Sequence, residues 1–261
     1  MAFSQEEFVN LLADYYEFCN RVFCEHTTVA YPPAGGWPSI NQDTMANLEK
    51  SNTAVDLLRQ LPCVDFDPDW TFDPPHTMNK TNIVDYRNEK IQAKIRERCF
   101  DTYAEPCLGD NGPLPPSCVC FAVSKGRNGY NLVVDTADGN VYWSEPNGQH
   151  DEPGTELNDI IEQSYAGDEA QSWRVGGVNV YRPKDFFALC KQRFRELRWI
   201  GIDTCNVDSL RMDCEWSDDY EDHMFVVRRV QRAGWPGDGE GRDWDRRGFE
   251  ASIYENDSAG I

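Results

Sequence analysis

Tyr130-Asn-Leu-Val-Val-Asp-Thr-Ala-Asp-Gly-Asn-Val-Tyr-Trp-Ser144 is the stretch whose reading decides the fold class. Residues 130–135 and 140–144 are β-rich runs flanking Asp138-Gly139, a strong hairpin signal because such a turn demands positive φ. Just upstream, Cys118-Val-Cys-Phe-Ala-Val123 is another short apolar run of β type. Downstream, residues 173–181 read as a further strand. Pro183 then opens a helix at the position where its missing N–H costs nothing. Phe186, Phe187, Cys190, Phe194 and Leu197 form its buried stripe, and residues 199–202 return to the sheet.

Helices bracket this sheet. Ser4 caps the first one, Glu7 completes a capping box, and Phe3 and Phe8 occupy the staple positions. Phe8, Leu11, Leu12, Tyr15, Cys19, Val22 and Phe23 recur at helical spacing. A second helical segment begins at Met45 and Leu48, is interrupted at Ser51-Asn-Thr53, and continues over 55–61. Residues 63–80, dense in Asp, Pro and Asn, read as a long loop. A shorter helix spans 88–99, and a last one spans 218–232, followed by a polar tail. Helices, a central antiparallel sheet, then helices again is an α+β pattern. The expected organisation is one domain over 1–261: helical at 1–112, sheet plus helix at 113–204, and C-terminal helical at 205–261. The character of the chain changes at Pro113-Leu-Pro-Pro116.

The 261 residues are 40% hydrophobic and 12% aromatic, enough for a proper core. Forty-five acidic residues against 25 basic give a formal charge of −20. A field of that sign opposes nucleic acid and anionic membrane, which need a basic face. A basic protein surface is the compatible macromolecular partner. The first residues lack a cationic start and an apolar run, and no stretch approaches the ~18 apolar residues of a membrane span. Ten cysteines in that context read as reduced thiols, so the expected location is cytoplasmic.

Outside the sheet, Tyr31-Pro-Pro-Ala-Gly-Gly-Trp-Pro-Ser-Ile40 specifies a non-repetitive path, followed by Val55-Asp-Leu-Leu-Arg-Gln-Leu-Pro62 and Asp85-Tyr-Arg87. With Pro183-Lys-Asp-Phe-Phe187 and Gly234-Trp-Pro236, the set resembles a family of fungal proteins that open with a helix, a PPxGGWPxI turn and an LLRxLP helix. More distantly, the layout is similar to the SUKH superfamily of α+β domains, which in fungi includes regulators of cell-wall synthesis. The resemblance implies a regulatory or interaction role and brings no catalytic residues with it.

The chemical motifs are fragments. Asp218-Asp-Tyr-Glu-Asp222 has the DDxxD spelling of a magnesium-diphosphate site, making Asp218, Asp219 and Asp222 the candidate metal ligands. Such sites belong to all-helical enzymes with a second helix carrying Asn, Ser and Glu at four-residue steps. Here Asn158 and Glu162 begin that spacing, and Ala166 and Ala170 end it. Acidic residues in a first helical turn complement the helix dipole, which accounts for the motif more simply. Asp65, Asp67, Asp69 and Asp73 start like a calcium loop, but Trp70 and His76 stand where Gly and Glu are needed. Cys118 with Cys120, and Cys19 with Cys24 and His26, are incomplete zinc sets.

No Gly-x-Ser-x-Gly elbow occurs, Gly237-Asp-Gly-Glu-Gly241 carries its own carboxylates, and no cofactor is expected. The Pro183 helix shows Lys184, Lys191, Arg193, Arg195 and Arg198 on its polar side. The binding surface read from the sequence therefore combines Trp37, Trp235, Phe187 and Arg195, serving a protein partner. The rival expectation is an enzyme or small-molecule binder of fungal secondary metabolism, its pocket lined by aromatic residues.

Overall fold

The computed structural model describes residues 3–23, 27–66, 74–98, 114–126, 129–146, 152–175, 177–201, 207–209 and 218–254. In chain order the elements are α1 (Gln5–Val22), β1 (Thr27–Ala30), α2 (Asn52–Gln60), β2 (Cys63–Phe66), β3 (His76–Met78), β4 (Thr81–Ile83) and α3 (Glu89–Glu97). Next come β5 (Cys118–Ser124), β6 (Asn131–Asp135), β7 (Val141–Ser144), α4 (Glu156–Ser164), β8 (Val178–Tyr181) and α5 (Pro183–Arg195). The chain continues through β9 (Trp199–Gly201), β10 (Val207–Ser209), α6 (Asp218–Arg232) and α7 (Arg246–Tyr254). The fold is α+β.

Strands β3 to β8 form a six-stranded antiparallel sheet in simple sequence order, with β1–β2 and β9–β10 as separate pairs. At its centre β6 and β7 align Leu132 with Trp143 and Val134 with Val141. Side chains alternate across a strand, so Trp143 and Tyr142 serve opposite faces. Trp143 meets Tyr130 edge-on at 5.0 Å and Phe186 of α5 at 5.6 Å. Phe121 of β5 lies 5.4 Å from Phe8 of α1. Phe8 and Tyr15 in turn pack at tilted angles against Phe187, at 5.9 and 5.6 Å. The pair α1 and α5 thus forms a helical layer over the face carrying Phe121 and Trp143. On the other face Tyr142 packs on Trp173 at 5.0 Å.

Local signals place most of these elements. Ser4 Oγ accepts from Glu7 N, and the Phe3 and Phe8 rings lie 6.4 Å apart. The interruption at Ser51 is an N-cap: its hydroxyl accepts from Ala54 N, and α2 starts at the next residue. Asn88 caps α3 in the same way, through Lys90 N.

The joint near residue 113 does not divide the molecule. Strand β4, before it, pairs with β5, after it, matching Ile83 with Ala122. Ser51 N donates to Pro116 O at 2.8 Å, and one apolar cluster runs from Phe8 to Phe249.

Five expectations are corrected. The region 1–112 is not purely helical, since residues 63–80 hold β2 and β3 as well as turns. Their ladder partners are β1 and β4, and short strands leave little periodic signal of their own. The stretch 173–181 is a strand only from Val178; a 3-10 turn, Glu169–Arg174, covers its start. Helices α4 and α7 were not expected at all. The stretch 199–202 does not return to the main sheet: its described residues, β9, pair with β10 in a separate two-stranded ladder. The central hairpin stands as read, with Asp135 N donating to Asn140 O at 3.0 Å and Gly139 at a positive φ of 76°. Among the described residues no helix is long and apolar enough to cross a membrane.

Candidate interaction surface

Residues 31–39 form a loop pinned from beneath. Trp37 N donates to Arg59 O at 2.9 Å, and the Trp37 indole Nε1 donates to Leu61 O at 2.8 Å. Arg59 Nη2 reaches back to Gly35 O at 2.6 Å. Gly36, at φ 84°, is pressed against the α2 backbone: a Cβ there would stand 2.8 Å from Arg59 O. Its N–H closes a turn on Pro33 O at 2.8 Å. The guanidinium of Arg87 covers the Trp37 ring at 4.6 Å and is itself held by Asp85 and Asp65, at 2.9 and 2.6 Å.

What this framework leaves outside is Tyr31, which is 55% exposed, together with exposed Pro33, Ala34 and Pro38. The Tyr31 hydroxyl donates to Glu17 Oε1 at 3.0 Å. Desolvation, then the Glu17 hydrogen bond and charge, raises the Tyr31 pKa from its ordinary value. Carboxylates therefore ring the loop: Glu17 touches Tyr31, while Asp56 and Asp65 pair with the two arginines that hold it.

Of the other predicted binding residues, two are buried and the third, half-buried Arg195, is engaged within the chain. Phe187 is buried between Phe8, Tyr15, Phe121 and Phe186, because the inward face of α5 is the core face. Trp235 is also buried; its indole donates to Arg195 O at 3.1 Å and its ring meets Trp244 at 5.2 Å. Arg195 binds the glycine-rich turn, with Nε on Gly239 O and Nη2 on Glu240 Oε1, both at 2.5 Å. Lys191 Nζ lies 2.9 Å from Glu240 Oε2 and 2.7 Å from Asp14 Oδ2, and Arg21 Nε donates to Glu240 O at 2.8 Å. The partners of Trp37 and of Trp235 have no residue in common. With Phe187 and Trp235 buried, the expected composite is not presented as one surface; what is exposed is the loop around half-buried Trp37.

No protein-family model, curated protein or solved structure matches this chain. Its reading rests on its own residues.

Asp218 opens α6, as expected for an acidic first turn, but the side chains of Asp218 and Asp219 lie outside the described residues. Asp222 is exposed. His223, on the same helix, is buried with Nε2 2.9 Å from Leu197 O, which can only accept, so Nε2 carries the proton. Asp65 belongs to the Arg87 cluster; Asp67, Asp69, Asp73, Cys24, His26 and His150 lie outside the described residues. Among the described residues no group of three or more His, Cys, Asp or Glu is placed to hold a metal ion. Cys19, Cys63, Cys118, Cys120 and Cys190 are buried thiols, and burial pushes Cys19 and Cys118 up to about 12.

Sequence reasoning missed Glu240, the acceptor for three cations. Its carboxylate stood in Gly237-Asp-Gly-Glu-Gly241, and no local pattern says that Lys191, Arg195 and Arg21 converge on it. Desolvation works against its ionisation, but hydrogen bonds and charge from Lys191 and Arg195 outweigh this and hold the carboxyl below its ordinary range. A folded-state pKa below the unfolded one gives stabilisation that is present above the unfolded value and lost as pH falls through the folded value. Acid titration of the Trp235 indole NMR signal should therefore show the turn staying docked through the ordinary carboxylate range and loosening below it. In Glu240→Gln that acid-side step should vanish. A step unchanged in the variant would assign it to another group.

Proposed function

We propose that this chain is a non-catalytic regulatory or protein-interaction module, of SUKH-like character and fungal origin, working in the cytoplasm. The observation that carries this reading is the loop 31–39. Its backbone is held by α2 while Tyr31 and three flanking residues are offered to solvent. A segment already fixed in one conformation loses little entropy on binding, so its contacts convert efficiently into affinity. An exposed tyrosine is a frequent hot-spot residue. Glu17 beside it, and Asp65 and Asp85 sharing the single Arg87, leave excess negative charge there on a chain of net charge −20, which favours a basic partner surface. Nucleic acid and membrane are disfavoured by the same charge.

The test is site-specific photocrosslinking in the native host, with the probe at Tyr31, at Pro33, or at the exposed α4 residue Ile160 as control. A single protein crosslinked from the loop positions and not from Ile160 supports the reading. That partner should bind the Tyr31→Ala variant at least about tenfold more weakly. Its association should also slow as salt is raised. Equal crosslinking from all three positions, or a co-purifying metabolite with no protein, would count against it.

A further inference from the structure

The sheet has two outer strands, β3 and β8, and an outer strand presents backbone groups that another chain can pair with. On β8 the register decides which groups face outward. Glu145 N donates to Gly177 O at 3.3 Å, and Asn179 and Tyr181 stand opposite Trp143 and Val141. In an antiparallel ladder alternate residues face alternate neighbours, so Val178 and Val180 turn their backbone groups away from β7.

Side chains of the α4 start occupy those outward groups. Asn158 Nδ2 donates to Val178 O at 2.7 Å, and Val180 N donates to Asn158 Oδ1 at 3.2 Å. Thr155 Oγ1 donates to Val180 O at 2.7 Å. One carboxamide, chemically a peptide unit, makes the donor–acceptor pair that a neighbouring strand would make. The amide is fixed in turn, because Thr155 N also donates to Asn158 Oδ1 at 2.9 Å. The opposite edge is treated alike: the Thr77 carbonyl of β3 accepts from the Tyr15 hydroxyl at 2.5 Å.

We propose that Thr155 and Asn158 form a strand mimic that closes the β8 edge against a second copy of this chain. All four residues of Val178-Asn-Val-Tyr181 are buried. The strand carries none of the Lys, Pro or inward charges that usually protect an edge. An uncovered β8 is self-complementary, since about a twofold axis Val178 and Val180 of one copy meet Val180 and Val178 of the other. This inference is independent of the loop 31–39.

Two measurements test it. In the native protein, hydrogen exchange resolved by NMR should find the Val180 amide protected, although among the described residues no strand lies beyond it. In Asn158→Leu, with far-UV circular dichroism confirming the fold, that amide should exchange about tenfold faster at low concentration. At high concentration and moderate salt, which screens the acidic repulsion, light scattering should show a dimer and the amide should become slow again. A fast Val180 amide in the native protein overturns the proposal, as does a folded Asn158→Leu that stays monomeric at every concentration. Should that variant fail to fold, Asn158→Ala, which removes the same carboxamide with less added apolar bulk, is read by the same two outcomes.

Discussion

Replacing Arg174 by Met should lower unfolding stability by about 3–5 kcal/mol in urea denaturation, among the largest effects of any single substitution here. Arg174 and Asp135 have side chains only 3% and 1% exposed, with Nη2 2.5 Å from Oδ2. Arg174 Nε also donates to Gln171 Oε1 at 2.7 Å. The guanidinium lies 4.4 to 4.8 Å from the ring centres of Trp173, Tyr142 and Tyr165. Asp138, whose carboxyl burial pushes above its ordinary range, sits 3.5 Å away and accepts from the Tyr142 hydroxyl at 2.5 Å. Met keeps the apolar stem and removes the cation, leaving the Asp135 charge in a desolvated site. The pair itself is worth less than that loss, because desolvation offsets its attraction. Asp135→Asn combined with Arg174→Met should accordingly cost less than the two single changes added together. Additive losses would show that the two side chains do not stabilise one another.

Phe186→Ala should cost a similar amount, about 3–5 kcal/mol, by a different route. Phe186 is fully buried and touches Trp143, Phe121, Phe187 and Tyr181, with ring centres 5.1 to 6.3 Å away. It joins the α5 layer to the sheet, so truncation removes burial and leaves a cavity that a sheet and two helices cannot easily close. Phe225→Ala is the matched control. That ring is 43% exposed, with Arg229 3.8 Å from its centre, and its loss should cost about 1 kcal/mol or less. The urea midpoints of the two variants should differ while the slopes agree. Equal midpoints would mean that Phe186 is not a keystone of the layer.

These two sites differ in how far the sequence announced them. Phe186 was legible, because α5 starts at Pro183 and its apolar positions recur at helical spacing. Arg174 was not: it fell inside a stretch read as a strand, and its partner lies 39 residues away. The binding surface divides in the same way. Tyr31 and Trp37 were marked by their Pro/Gly setting, yet Trp235 was joined to the same surface, and Phe187, read as part of the buried stripe of α5, was counted as a binding residue as well. An aromatic residue beside Gly and Pro packs inward or outward according to what lies opposite, and that is a property of other segments.

By itself the sequence determined the α+β class, the central hairpin, the starts of α1, α3 and α5, and the acidic character of the chain. Each follows from neighbours within a few residues, through side-chain period, capping oxygens and turn-forming glycine, or from a sum over the chain. Only the tertiary structure decided that β3 and β4 join the main sheet, that Glu240 pairs with Lys191 and Arg195 of α5, and that Asn158 closes an outer strand. The Asn158 and Glu240 contacts bring together residues 20 to 219 positions apart. Their energy depends on distance in space, and distance in space is set only when the whole core has closed.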